Sequence, residues 1–342
     1  MSEIKDSKIR ESILTTNGNI VIAADAGTGK TYMTVERIKH DVMKVDNYQT
    51  YAAITFTNKA AKELMDRLGE IQNGFVGTND KFILNEVIIP FSKDVYPQVK
   101  GKIIKTDYSA AEKRDKGNDL LARFVEEGII GTYTDSHHNF AFKLALHILK
   151  KSHAAKRYLS NRYFRIYVDE YQDSDKDMHN FFMYLNEELC IPFFIVGDFK
   201  QSIYEWRGGY PDGFKNLLQS QKYTGFKLLH NFRSNQQIQN YASIFIDDIR
   251  ENYHKCVLNG EVKGCIYSGD SMLIQYIEKW LMQKGNCAFL VYSNREAKEW
   301  AEKLFKEICE NVPGKAFFKM NKNHMEFMLI DGTNVRNSCT GR

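Results

Sequence analysis

Asn19–Met33, NIVIAADAGTGKTYM, decides the fold of this 342-residue chain. The apolar run Ile20–Ala23 reads as a buried strand. The turn Ala24-Asp25-Ala26-Gly27-Thr28-Gly29-Lys30-Thr31 follows, and a helical pattern runs from Tyr32 to about Met43. A glycine-rich turn between strand and helix aims several backbone N–H groups at one point, and the helix N-terminus adds partial positive charge there. Gly27 and Gly29 let the backbone approach an anion closely. Lys30 is spaced to reach the outer phosphates of a nucleotide and Thr31 to offer its hydroxyl to Mg²⁺. The general phosphate-loop pattern has Gly where this chain has Ala24.

Working outward, a second strand, Tyr51–Phe56, is followed by an amphipathic helix, Lys59–Leu68, with Asn58 as its expected cap. Residues 70–160 are mixed and charged, with no strand rhythm before the helical run Phe140–Leu149, and read as an inserted helical domain. The αβ alternation returns with strand Phe164–Val168, helix Lys176–Leu189 and strand Pro192–Val196. Short strands alternating with helices predict a parallel sheet covered on both faces. Helix Gln236–Arg250, strand Ala288–Tyr292, helix Arg295–Cys309 and strand Ala316–Lys319 suggest the start of a second αβ domain, and the polar end from Gly332 a disordered tail.

Strand Phe164–Val168 delivers Asp169 and Glu170 to its C-terminal end, which faces the ligand crevice in a parallel sheet. There Asp169 is placed to hold Mg²⁺ through water, and Glu170 to orient and deprotonate an attacking water. The hydrophobic fraction of 43% supports real cores, and the net charge of +4 permits nucleic acid without implying it. Six cysteines, none in a C-x-x-C pair, read as reduced thiols of a cytoplasmic protein. The polar start, MSEIKDSKIRES, leads to the expectation of no signal peptide, and no apolar run reaches the length of a membrane span.

Asp169-Glu170-Tyr171-Gln172-Asp173 and Val196–Gly209, VGDFKQSIYEWRGG, resemble motifs II and III of superfamily 1A DNA helicases, the UvrD/Rep group. Thr55–Ala61, TFTNKAA, is similar to their motif Ia, and Asn231-Phe232-Arg233-Ser234 to motif IV. Gly77–Phe82, GTNDKF, stands where the group has a GTFHS-like motif; with Tyr171–Met183, YQDSDKDMHNFFM, it resembles the helicase-like B subunits of Gabija anti-phage systems.

The resemblance implies an α/β P-loop NTPase with a RecA-like parallel-sheet core. Its motor domain 1A is expected over residues 1–75 and 160–227, the helical insertion 1B over 76–159, an incomplete second RecA-like domain 2A over 228–332, and the tail over 333–342. ATP and Mg²⁺ are the implied cofactors. By position, Ala24 through Thr31 (Ala24, Asp25, Ala26, Gly27, Thr28, Gly29, Lys30, Thr31) would cradle the nucleotide, with Thr31 and Asp169 at the metal and Phe232 stacked on the base. Gln201 would sense the γ-phosphate, and Arg233 would touch it from the second domain's edge. Phe56, Thr57, Asn58, Thr78, Tyr204 and Trp206 would form the single-strand path, aromatic stacking suiting a motor that ignores sequence.

Three departures from the group stand out. The first Gln of the chain is Gln49, so no upstream Gln reads adenine, and Glu11 or Ser12 falls where it is expected. Asn79-Asp80 replaces the aromatic and His character of motif Ib. Motifs V and VI are absent, which leads to the expectation of a truncated second motor domain. The implied function is a DNA-dependent ATPase of phage defence acting on single strands or DNA ends beside an OLD-family nuclease, the Gabija A subunit, in the cytoplasm and away from membranes. Its rivals are a general repair helicase and a nucleotide- and DNA-binding regulatory subunit without turnover.

Overall fold

The computed structural model describes residues 6–71, 73–107, 117–132, 138–202, 208–243, 269–284, 286–289, 291, 293–304, 316–321 and 324–329. The chain divides into two compact units, Met1–Gly260 and Glu261–Arg342.

In the first unit, six strands form one parallel sheet in the order β3-β2-β6-β7-β1-β8. They are β1 (Ile20–Ala24), β2 (Thr50–Thr55), β3 (Phe75–Thr78), β6 (Tyr163–Val168), β7 (Phe193–Gly197) and β8 (Thr224–Leu228). The inner strands are mainly apolar because both faces are covered, as parallel sheets require, and Arg165 of β6 is the charged exception. Alternation divides their side chains between two cores. Val21, Ala52, Ile54, Ile166, Val168, Phe193 and Ile195 face one core, which also takes Phe142, Phe181, Phe182 and Phe214. Ile20, Ile22, Tyr51, Ala53, Tyr167, Phe194 and Val196 face the other, with Ile13, Met33, Ile38 and Leu64.

The second core is roofed by α1 (Ser7–Thr15), α2 (Lys30–Val42) and α3 (Asn58–Leu68). The first core is closed mainly by α7 (Phe140–Lys151), α9 (Lys176–Glu187) and α10 (Pro211–Gln219). Between β3 and β6 lie α4 (Asn79–Ile83), a π-helical turn (Leu84–Ile88), α5 (Ile89–Val95), α6 (Gly117–Glu127), α7 and α8 (His153–Arg162). The two-residue strands β4 (Lys105–Thr106) and β5 (Ile129–Ile130) form a separate parallel pair there. The segment is therefore mainly helical, but its first residues complete the main sheet. Ala52 pairs with Phe75 and Thr55 with Thr78. The cap of α3 also differs from the expectation: extended Thr57, not Asn58, accepts the Ala60 N–H at 3.1 Å, and Asn58 is the first helical residue.

A buried ionic knot locks α2 to β6. Asp41 Oδ2 accepts from Arg37 Nε at 2.9 Å and from the Tyr167 hydroxyl at 2.6 Å, and pairs with Arg165 Nε at 3.0 Å. Arg165 reaches on to the Gly18 carbonyl and Arg37 to that of Ile13. Burial pushes the Arg165 guanidinium below its ordinary value, and the neighbouring Arg37 adds to this against the pull of Asp41. Removing one member would strand a buried charge, so the knot fixes the helix that follows the glycine-rich loop against the strand that leads into Asp169.

The second unit contains α11's downstream neighbours α12 (Asp270–Lys284) and α13 (Asn294–Leu304), α11 itself (Gln236–Ser243) belonging to the first unit. Its strands β9 (Asn286–Phe289), β10 (Ala316–Asn321) and β11 (His324–Leu329) form an antiparallel sheet in the order β10-β11-β9. The sequence rhythm does not announce β11. The expected tail, residues 333–342, lies outside the described residues.

Candidate functional site

The C-terminal ends of β1, β6, β7 and β8 meet at one edge of the sheet and bring the sequence-selected residues together. Ala24 is the last strand residue, paired with Leu228 and 1% exposed, so its side chain belongs to the core rather than to the loop. Gly27 and Gly29 take φ of 75° and 81°, and Gly29 precedes the first turn of α2, which begins at Lys30. The buried Thr28 hydroxyl donates to the Asp25 carbonyl at 2.7 Å and closes the turn.

Lys30 Nζ lies 3.2 Å from Glu170 Oε2, yet it is buried and makes no geometrically sound hydrogen bond. The Thr31 hydroxyl donates to Asp169 Oδ2 at 3.2 Å. Glu170 sits in the left-handed region at φ 54°, rare for a side chain with Cβ. This turns its carboxylate away from the line of β6, where Gln172 Nε2 donates to it at 2.7 Å. Gln172 also accepts the Asp198 N–H at 2.8 Å, joining the ends of β6 and β7. Buried Asp198 in turn accepts from Gln201 Nε2 at 2.6 Å and from the Lys200 N–H at 3.0 Å.

Asp169, Glu170 and Asp173 crowd the Lys30 ammonium at this edge. Burial, then the charge of Glu170, raises the Asp169 carboxyl to about 6 against the opposing pull of Lys30. The same two causes raise Asp173 to about 7, and its Oδ1 is buried without a partner. An acid surplus beside an unsatisfied lysine is the donor set a Mg²⁺-polyphosphate would complete. Mg²⁺ needs only one or two protein ligands beside water and phosphate oxygens, a set that Thr31 and Asp169 could supply. Among the described residues no group of three or more His, Cys, Asp and Glu forms a self-sufficient metal cage.

The segment after β8 clasps the loop. The Phe232 N–H donates to the Gly27 carbonyl at 2.9 Å and Asn231 Nδ2 to that of Ala26 at 2.9 Å. Asn231 Oδ1 accepts the N–H groups of Arg233 and Ser234 at 2.8 and 2.9 Å, and the Arg233 side chain is exposed. Phe232, 54% exposed, frames a pocket of about 520 Å³ with Tyr32, Met33, Leu14 and Arg10.

Arg10 is the residue that the sequence reading missed. Its guanidinium lies 4.9 Å from the Phe232 ring centroid, donates to the Thr28 carbonyl at 2.8 Å and pairs with Asp6 at 2.7 Å. Asp6 also accepts the N–H groups of Leu229 and His230 at 3.0 and 3.1 Å. Burial raises the Asp6 carboxyl, but these bonds and Arg10 together hold it below its ordinary value. Of the two positions expected for a base-reading residue, Glu11 lines this pocket while Ser12 bonds back to its own helix at Lys8. The signal that could have found Arg10 is its place on α1 one turn after Asp6, a spacing that forms an i,i+4 pair.

The residues expected at DNA lie at the ends of β2 and β3. Phe56 is partly buried against the first core. The Thr57 hydroxyl caps α3, exposed Asn58 opens it, and Thr78 caps α4 by accepting the Lys81 N–H at 3.3 Å. Tyr204 and Trp206 lie outside the described residues. No helix among the described residues is long and apolar enough to cross a membrane.

The UvrD/REP helicase N-terminal domain matches residues 6–113 and 102–222. Gabija protein GajB of Bacillus cereus is 44% identical over 272 residues, covering 78% of this chain and 54% of that protein. ATP-dependent DNA helicase PcrA of Staphylococcus epidermidis is 25% identical over 386 residues, covering 97% of this chain and 48% of that protein. The chain thus spans about half the length of these curated relatives. A loose structural likeness, TM-score 0.36 at 12% identity, links 88% of this chain to 61% of the Pif1 helicase from Candida albicans.

Proposed function

The chain belongs to the UvrD/REP helicase family, and from that premise we propose that it is the motor of a Gabija-type anti-phage defence system, coupling Mg-ATP hydrolysis to movement on single-stranded DNA. The observation that carries the reading is the buried Lys30 ammonium resting on Glu170 beside the Thr31–Asp169 bond. In this reading the two are a phosphate-binding lysine and a general base, held on each other at one sheet edge. The identity to GajB supports the defence context.

In the proposed cycle Lys30 exchanges Glu170 for the outer phosphates. Glu170 is then free to orient an attacking water and take its proton. Thr31 and Asp169 would hold Mg²⁺, which when bound would neutralise phosphate charge. Gln201 and Arg233 meet the terminal phosphate, and Phe232 and Arg10 hold the base. Phe56, Thr57, Asn58 and Thr78, with Tyr204 and Trp206, carry the single strand. The motor domain comprises residues 1–75 and 160–227, its sheet completed by β3 (Phe75–Thr78); the rest of 76–159 is the helical insertion and 228–332 the second motor domain in part.

The protein works in the cytoplasm with an OLD-family nuclease as its partner. Steady-state ATP hydrolysis with and without single-stranded DNA tests the enzyme; turnover that DNA does not stimulate refutes the motor. Co-purification with the nuclease tests the defence context, and its failure leaves a repair helicase.

A further inference from the structure

Two charged residues at the site have no part in the cycle above: Asp25 in the loop after β1 and Lys200 in the turn after β7. Lys200 Nζ lies 2.7 Å from Asp25 Oδ1, both side chains being about one-fifth exposed. Each is held from behind. The Asp25 N–H donates to the Leu228 carbonyl at 3.3 Å, and the Asp25 carbonyl accepts from the Thr28 hydroxyl and N–H at 2.7 and 3.2 Å. The Lys200 N–H is fixed on buried Asp198 at 3.0 Å. The pair closes a ring of contacts that runs from Asp25 through Lys200, Asp198, Gln172 and Glu170 to Lys30 and so back to the loop.

A carboxylate on a loop that receives polyphosphate opposes its own ligand, because like charges a few ångströms apart repel more strongly as water is excluded. Backbone pinning prevents the loop from carrying Asp25 away. The ammonium of Lys200 is the group placed to cancel it.

We propose that Lys200 is a positioning residue for nucleotide binding that acts through Asp25: it neutralises and holds aside the loop's own carboxylate, so that the loop amides and Lys30 meet polyphosphate without a competing anion. The proposal rests on the loop being a nucleotide site. It differs from a direct phosphate contact by Lys200, since its effect vanishes when Asp25 loses its charge.

The test measures affinities of the 342-residue chain for ATP, ADP and AMP with Mg²⁺, at low and high salt, in Lys200→Ala, Lys200→Arg, Asp25→Asn, the Asp25→Asn/Lys200→Ala double variant and Lys30→Ala. Lys200→Ala should weaken ATP binding about tenfold, ADP less and AMP least, with the loss shrinking in salt. Lys200→Arg should bind about as well as the parent, Asp25→Asn more tightly because the loop has lost its own anion, and the double variant should return to within about twofold of Asp25→Asn. A double variant as weak as Lys200→Ala overturns the proposal, as does an equal loss for all three nucleotides or an Asp25→Asn variant that itself loses affinity. Should Lys200→Ala fail to fold, the Asp25→Asn result decides alone. A parent that binds no better than Lys30→Ala overturns the nucleotide site and this proposal with it, whereas a weak Lys30→Ala beside an unaffected Lys200→Ala overturns only the proposal.

Discussion

Gly27→Ala gives the most direct measure of how firmly the segment after β8 holds the phosphate loop. Gly27 has φ 75°, and a Cβ built there would lie 2.6 Å from Asn231 Oδ1 and 2.9 Å from Arg233 Cβ. The left-handed backbone costs an alanine about 1–2 kcal/mol. To clear the methyl group, Asn231 must rotate and give up three bonds, to the Ala26 carbonyl and from the Arg233 and Ser234 N–H groups. These are largely solvent-accessible, so each is worth about 0.5 kcal/mol, the lower end for a protein hydrogen bond. The expected loss is about 3 kcal/mol. Gly18 supplies the control, with φ 77° and nothing within 4 Å of its would-be Cβ. Gly18→Ala carries the backbone strain alone, about 1–2 kcal/mol. Thermal unfolding of both variants should place Gly27→Ala lower by roughly 3–6 °C, taking about 2–4 °C per kcal/mol for a unit of this size. Nucleotide affinity should fall in Gly27→Ala and hold in Gly18→Ala. Equal melting temperatures would refute the clasp, because no contact would separate the two glycines.

Glu170→Gln keeps the shape of the side chain and removes the base; ATP should still bind while hydrolysis falls by about 10²–10⁴, measured by phosphate release. Arg10→Ala removes the charged plate over Phe232 and leaves Asp6 with backbone donors alone. It should weaken ATP by about 0.5–2 kcal/mol and inorganic triphosphate hardly at all, and equal losses for both ligands would take Arg10 out of the base pocket. The Asp173 carboxyl is raised to about 7, so the folded state binds a proton that the unfolded state has released above its ordinary value near 4. In chelator, the melting temperature of the parent relative to Asp173→Asn should therefore decline as pH rises from about 4 to 7. A flat difference across that window would mean that Asp173 titrates normally.

The chemistry of this site is legible in the sequence wherever it depends on residues close along the chain. The strand, glycines, lysine and threonine of Ile20–Thr31 and the acid pair after β6 announce themselves by local pattern. What depends on tertiary meeting is silent. Phe75–Thr78 is too short, with Gly77 inside it, to show a strand period, yet it closes one sheet edge. Thr224–Leu228 alternates around Gly225 and Lys227 and reads as polar because it is the opposite edge. Arg10 acquires meaning only when residues 28 and 232 arrive beside it, and Gln172 only when β7 lies next to β6. The cap of α3 fell one residue early because Thr57 and Asn58 are both good caps and backbone angles, not composition, choose between them.

The strand order also sets a timetable for synthesis. β1 leaves the ribosome first, but its two neighbours are β7 and β8, with Ile20 lying against Phe194 and Thr224. At about 5–20 residues per second, the apolar edge of β1 waits roughly 10–40 s for them. β2 and β3 can pair early, but the centre of the sheet assembles only after Gly197 has been made, and the glycine-rich loop gains its β8 neighbour only after Leu228. The slowest stage of this chain's folding should therefore be the one that creates the sheet edge where the glycine-rich loop sits.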